Sequence, residues 1–236
     1  MSRLEEQAQL VPQLRIAPIE VGESLRNLAY DSIKAAITQT DIYGHTEEVR
    51  LDERRLGQDL GVSRTPIREA MSLLEQEGFV RSVPRRGAFV VRKTKAEIIE
   101  MILVWAALES MAARLAATRA SDDELAALRA MFAAFEEDPS AHVHEYSAAN
   151  IAFHQTIIRL GACALIVDMT QNLFIHMRAI RNVSMRQENR ALRSHGEHTG
   201  IIDALARRDA DEAERLVREH ALGLADHVEK HGVFPA

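Results

Sequence analysis

Apolar residues recur every three to four positions along most of this chain, and alternate in one short stretch only. Residues 24–38, SLRNLAYDSIKAAIT, place Leu25, Leu28, Ala29, Ile33, Ala36 and Ile37 at helical spacing behind Ser24, a residue able to cap the first turn. In LDERRLGQDLGV, Asp52 is set to cap a short helix whose Leu56 and Leu60 face inward, with Gly61 ending it in a left-handed turn. A further helix follows at once: Ile67, Ala70, Met71 and Leu74 form one inward stripe, and Arg64, Arg68 and Ser72 lie on the opposite face. Ser63 or Thr65 can cap its start, where Pro66 is tolerated because first-turn N–H groups have no intrahelical partner. Then EGFVRSVPRRGAFVVR reads as two short strands around a tight PRRG loop, with Phe79, Val80, Phe89 and Val91 as strand residues. Three helices followed by a hairpin predict a winged helix-turn-helix.

Beyond residue 93 nothing alternates as a strand does. KTKAEIIEMILVWAALESMAARLAATRA predicts a long helix, and residues 121–138 a second one opened by a capping box of Ser121 and Glu124. Further helices are expected at about 141–160, 163–182, 194–208 and 210–230, the last capped by Asp209 with Glu212 three residues on. The prediction is a mostly α protein: an N-terminal arm over 1–20, a winged helix-turn-helix over 21–93 and an antiparallel all-α bundle over 94–236. A length of 236 residues with 47% apolar content suits that division.

Charge divides at the same place. Although the chain carries −6 overall, residues 50–93 hold ten Lys and Arg against six carboxylates, and residues 94–236 hold 15 against 21. Nine of the ten histidines lie at 142 or beyond. The single cysteine, Cys163, excludes an intrachain disulfide and any thiolate-based metal site, and suits a reducing compartment. The most apolar run, IIEMILVWAAL, is too short to span a bilayer and is interrupted by Glu100, and the first residues lack a signal-peptide core. The expected location is cytoplasmic, with no membrane partner.

The basic module points to an anion. Free backbone donors at the start of the second motif helix, the positive end of its dipole and two arginines one turn apart all favour phosphate, and Arg85 and Arg86 at the hairpin tip extend the same surface. An ordinary solvated arginine face is the competing reading. Local positive charge and the wing favour double-stranded DNA.

In the acidic module, Asn150 and His154 share a stripe with Ile157 and Ile158. His198 lies with Ile201, Ile202 and Leu205, and His220 with Ala213, Val217 and Leu224. One histidine on an apolar face is ordinarily a hydrogen-bonded core residue. Three from separate helices need three partners, or one cation that satisfies them together, and this donor set suits Zn²⁺, with Ni²⁺ or Mn²⁺ behind it. His176, His195 and His227 are reserve ligands or supports, and His142 and His144 read as a solvated helix start.

LxxxLGVSRTPIREAMSLLEQEGFVxxxPRRGAFV resembles the N-terminal domain of the GntR superfamily of bacterial transcription regulators over nearly all of residues 25–92. That resemblance implies DNA contacts from Arg54, Ser63, Arg64, Thr65 and Arg68, and a wing tip at Gly87 with Arg85 and Arg86. NIAFHQTIIRLGA and EHTGIIDALARRDADEAERLVREH resemble the FCD effector domain of the FadR-like branch. Many members bind a divalent metal through Asp or Asn four residues before a histidine plus two later histidines, which implies Asn150, His154, His198 and His220 here. The resemblance also implies a homodimer on operator DNA that answers to a small-molecule effector.

Two departures from the family pattern bear on that effector. Asn150 stands where a carboxylate is frequent, which leaves a bound cation's charge uncompensated and favours an anionic ligand such as a small organic acid. The arginine usual in the first long helix is replaced near Trp105, so Arg178 or Arg181 is the candidate counter-charge. Two rival readings are a metal-dependent hydrolase and a regulator with a purely structural metal. Against the hydrolase, no HExxH pairing appears, and Glu197 and Glu219 each point about 100° away from the neighbouring histidine.

Overall fold

A computed structural model of the chain describes residues 24–40, 42–43, 47–135, 139–187, 189–232 and 234. The expected arm, 1–20, and the first residues of the expected DNA-binding domain, 21–23, lie outside the described residues. Helix α1, Leu25–Gln39, starts where Ser24 Oγ accepts the Asn27 N–H at 3.2 Å. Its buried stripe is Ala29, Ile33 and Ile37, turned toward the third helix. Leu25 and Leu28, expected inside, are 56% and 43% exposed, because they belong to the first turn, before that stripe begins.

Helix α2, Glu53–Leu60, begins as predicted, with Asp52 Oδ1 accepting the Arg54 and Arg55 N–H groups at 2.9 Å each. Gly61 then adopts φ 67, a conformation that favours glycine, and turns the chain into α3, Arg64–Gln76. Ile67, Ala70, Met71 and Leu74 are buried as one stripe. Leu56 is only half-buried and Leu60 is exposed, since an eight-residue helix turns one narrow face inward and Gly57 occupies its centre. Ser63 takes the N-cap position, but no side chain caps α3.

The wing is a hairpin of β2, Val80–Val83, and β3, Gly87–Val90, in antiparallel register from Val80↔Val90 to Val83↔Gly87. Phe79 and Val91, expected as strand residues, fall just outside and are joined by a Val91 N–H to Phe79 carbonyl bond of 2.8 Å. A third strand, β1, Arg50–Leu51, pairs with the other edge of β3, giving the order β1-β3-β2. Two residues are too few to register as an alternating pattern.

The second half is helical throughout its described residues. Thr94 and Glu97 form a capping box for α4, Lys95–Arg119, and Ser121 and Glu124 form the predicted one for α5, Asp122–Ala130. The α5 helix is shorter than expected. After Ala130 the chain tightens into a 3₁₀ turn, Ala133–Phe135, which drives Phe132 and Phe135 against the Tyr146 ring, with centroids 5.7 and 5.5 Å away. Residues 136–138 of that expected helix lie outside the described residues. Helices α6 (Val143–Leu160), α7 (Ala164–Ser184), α8 (Arg190–Ala206) and α9 (Ala210–His231) complete the bundle. The central helix is α4, whose Ile98, Ile102, Trp105 and alanine-rich face packs along α9 and against α6, α7 and α8. Among the described residues no helix is long and apolar enough to cross a membrane.

The two halves meet at α7. His176 is buried there, with its ring against Phe79 of the winged domain and its Nδ1 hydrogen-bonded with the Tyr43 hydroxyl at 3.3 Å.

Candidate DNA interface and candidate metal centre

The helix-turn-helix presents the predicted side chains outward. Arg54, Ser63, Arg64, Thr65 and Arg68 are exposed, and the Arg64 and Arg68 side chains are 71% and 72% accessible. Both guanidinium groups approach the Glu53 carboxylate, at 3.8 and 3.9 Å. Exposed pairs of this kind contribute about 0–1 kcal/mol, too little to withhold the arginines from a phosphate or a base edge. At the wing tip the Arg86 N–H reaches the Val83 carbonyl at 3.0 Å, closing a tight turn with Arg85 at φ 63. Gly87 holds φ 106, and a Cβ there would come within 3.2 Å of Arg50 Nε. Arg85, Arg86 and Gly87 are exposed, with the Arg86 guanidinium over the Phe89 ring.

The histidine constellation assembles in the bundle interior. His154 on α6, His198 on α8 and His220 on α9 are buried, and one ligand atom from each lies within 4.8 Å of the others. Their ring centroids are 4.7 to 5.2 Å apart. Each ring is oriented through Nδ1. His154 Nδ1 meets Glu109 Oε1, His198 Nδ1 meets the Tyr146 hydroxyl at 3.1 Å, and His220 Nδ1 meets Glu197 Oε2 at 2.6 Å. With the Nδ1 positions engaged, the Nε2 atoms are the ones that could serve a common ion; His154 Nε2 is also 3.0 Å from Asn150 Oδ1, and His198 Nε2 3.5 Å from Ser194 Oγ.

Burial keeps these imidazoles neutral and able to offer a lone pair. It holds His154 and His198 well below the usual histidine range, assisted by the charges of Arg181 and Arg190, and takes His220 down to about 3. Glu109, on α4, is drawn upward by burial, while the Arg181 guanidinium pulls the other way. Its Oε2 accepts from Trp105 Nε1 at 2.5 Å and its Oε1 meets His154 Nδ1, so both carboxyl oxygens are in use.

Asn150 carries the strongest hint of a missing partner. Its Oδ1 is 3.0 Å from His154 Nε2, which carries no hydrogen in the tautomer whose Nδ1–H donates to Glu109. In that tautomer two lone pairs face each other. Turning the amide over would relieve this, but Arg181 Nη1 donates to the same Oδ1 at 3.4 Å, which favours the oxygen where it stands. Asn150 Nδ2 has no hydrogen-bond partner among the described residues. A cation between oxygen and nitrogen would turn the repulsion into two ligand bonds, and three imidazoles with one amide oxygen are donors that zinc accepts. On this test the residues fit a divalent metal.

Of the reserve histidines, none joins the cluster among the described contacts. His176 belongs to the domain junction, His195 packs on Phe132 and Tyr146, and His227 meets Gln187 Oε1 at 3.1 Å. His142 and His144 are exposed, as expected of a helix start. Arg181 reaches the site, and its guanidinium lies 5.9 Å from the Trp105 ring centroid, so α7 supplies the positive charge that α4 lacks. Arg178 is half-buried, and the polar contacts that surround the histidines run to Arg181 and Arg190 instead.

Three participants escaped the sequence reading: Glu109, Glu197 and Arg190. Glu197 does point away from His198 on its own helix, but that direction faces His220 of α9. Glu109 lies one turn after Trp105 on a helix whose apolar stripe gave no reason to single out a buried carboxylate.

A winged helix-turn-helix with an open arginine face, joined to a helical bundle with a buried histidine cluster, defines a DNA-binding transcription regulator. The family comparisons agree: the bacterial regulatory proteins of the gntR family match residues 25–90, and the FCD domain matches residues 100–223. The chain belongs to the GntR family and carries an FCD domain; it is a transcription regulator and not an enzyme. It is 30% identical over 171 residues to the Nta operon transcriptional regulator of Aminobacter aminovorans, covering 72% of this chain and 80% of that protein. It is 25% identical over 182 residues to the HTH-type transcriptional repressor RspR of Escherichia coli, covering 75% and 78%. Among solved structures, E. coli McbR/YncC superposes with a TM-score of 0.71 at 21% identity, over 89% of this chain and all of that one, a likeness of fold.

Proposed function

We propose that this regulator is ligand-responsive: its bundle holds a divalent cation, zinc in the first place, on Asn150, His154, His198 and His220, and takes a small organic acid beside it. The observation that carries this reading is the gathering of three buried imidazoles, His154, His198 and His220, with the Asn150 oxygen 3.0 Å from His154 Nε2. A bound divalent ion supplies a positive centre with open coordination positions. Asn150 brings no charge to it, so an incoming carboxylate completes the balance, with Arg181 as its nearest protein counter-charge.

The route to DNA runs along α7. Arg181 faces the chamber, and His176, five residues earlier, packs on Phe79 and Tyr43 next to the winged domain. The three imidazoles are buried, so a ligand that reaches them has to part the covering helices, and binding and rearrangement become one event. Working as a homodimer, the chain would convert that rearrangement into a change in the spacing of two recognition helices over two half-sites.

Calorimetry with L-lactate as probe tests this reading, using the full chain loaded with zinc and the same chain after chelation. Binding is expected at least tenfold tighter in the zinc-loaded protein, with a matching change in operator affinity. Equal affinity in the two forms would overturn it.

A further inference from the structure

Besides Asn150 Nδ2, the donors left over around the histidines belong to two guanidinium groups. Arg181 is 2% exposed, and besides its contact with Asn150 its Nη2 is 3.8 Å from Glu109 Oε2. Arg190, the first residue of α8, is 1% exposed, and its Nη1 is 3.3 Å from Glu197 Oε2. Nε and Nη2 of both arginines have no hydrogen-bond partner among the described residues. An unmet donor on a buried cation is costly unless something arrives to accept from it, and packing alone would be served as well by methionine or leucine.

Position and charge separate the two arginines. Arg181 is tied to the His154 side of the cluster through Asn150, and Arg190 to the His220 side through Glu197. The His154 and His220 rings to which they are tied have centroids 5.0 Å apart, which is the scale of a short-chain diacid. Arg181 and Arg190 face two carboxylates, Glu109 and Glu197, and the exposed Arg193 also approaches Glu197, at 3.8 Å. A divalent cation therefore leaves at least two positive charges uncompensated, and a monocarboxylate answers only one.

We propose that Arg190 is a second anion-binding group, and that the effector is a small dicarboxylate with one carboxylate at the cation and Arg181 and the other at Arg190. Bidentate hydrogen bonding from Nε and Nη2 is the geometry in which a guanidinium best recognises a carboxylate. This inference rests on the metal-and-acid reading above, and deepens it.

The test is calorimetry on the zinc-loaded full chain with succinate and L-malate against butyrate and L-lactate. The diacids are expected to bind at least tenfold tighter than the monoacids of similar length. In Arg190→Gln that ratio falls to near one, and Arg190→Lys, which keeps the charge without the fork, recovers part of it. A ratio near one in the unaltered protein overturns the proposal, whether or not the variants fold. So does a folded Arg190→Gln that keeps the full ratio. Zinc-dependent monoacid binding with no preference for diacids removes the second anion site and leaves the first reading standing. If no acid of either kind binds, both fall.

Discussion

Arginine performs opposite tasks in the two halves of this molecule. On the recognition helix Arg64 and Arg68 are about seven-tenths exposed and share one weakly held carboxylate, whereas Arg181 and Arg190 are almost wholly enclosed. An exposed guanidinium costs little to keep waiting, because water serves it until DNA arrives. A buried one is sustained only by partners that the fold supplies or a ligand brings. Changes to the open face should therefore alter what the protein binds, and changes to the chamber should alter first whether it holds together.

The largest effect is expected from Glu109→Leu, which strands Arg181 and unties the His154 ring. Removing one partner of a buried pair typically costs about 3–5 kcal/mol, which lowers the melting temperature by roughly 10 °C in a chain of this size. Adding Arg181→Met in the same background should recover much of that loss, and a double-mutant cycle measures the coupling. If Glu109→Leu melts with the parent, Glu109 is not what sustains Arg181 and the His154 ring.

On the open face, Arg64→Ala and Arg68→Ala should each weaken operator binding by about 1–3 kcal/mol and flatten its salt dependence. Melting temperature and zinc content should stay with the parent. Gel-shift titrations at two salt concentrations check this, and unchanged affinity in both variants would remove the recognition-helix assignment.

At the junction of the halves, burial and the Lys93 charge take His176 down to about 4. The unfolded chain, titrating near 6.5, then binds the proton more readily than the native one, so this stabilisation is present at neutral pH and is lost as pH falls from about 6.5 toward 4. The loss between pH 7 and pH 5 amounts to about 2 kcal/mol. Comparing denaturation of the parent with His176→Phe, which keeps a ring against Phe79, isolates it, and an equal pH slope in both chains would discount the residue. Smallest is the cap between the halves: Thr94→Ala should cost about 1 kcal/mol in chemical denaturation.

Legibility in the sequence follows the same division. Whatever is local was readable: the Asp52 cap, the Gly61 turn, the α3 stripe, the Ser121 box and the arginine-bearing wing each depend on residues within a few positions of one another. The gathering of His154, His198 and His220 was also readable, because each shares an apolar stripe with its own helix neighbours. What stayed hidden depends on partners from remote helices. Glu109 answers to a histidine 45 residues away and Glu197 to one 23 residues away, and Arg190 lies in a first turn that the apolar pattern placed before its helix began. Burial of Leu25 and Leu28 was overread for a related reason, since periodicity gives a face but not how far the neighbouring helix extends along it.

The most direct measurement is diffraction from crystals of the full chain grown with zinc, with the anomalous signal recorded at the zinc edge. The account predicts one peak in the bundle, about 2.0–2.1 Å from Nε2 of His154, His198 and His220, with Asn150 Oδ1 turned toward it. A chamber without a peak, in which the Asn150 amide has rotated so that Nδ2 donates to His154, would contradict it.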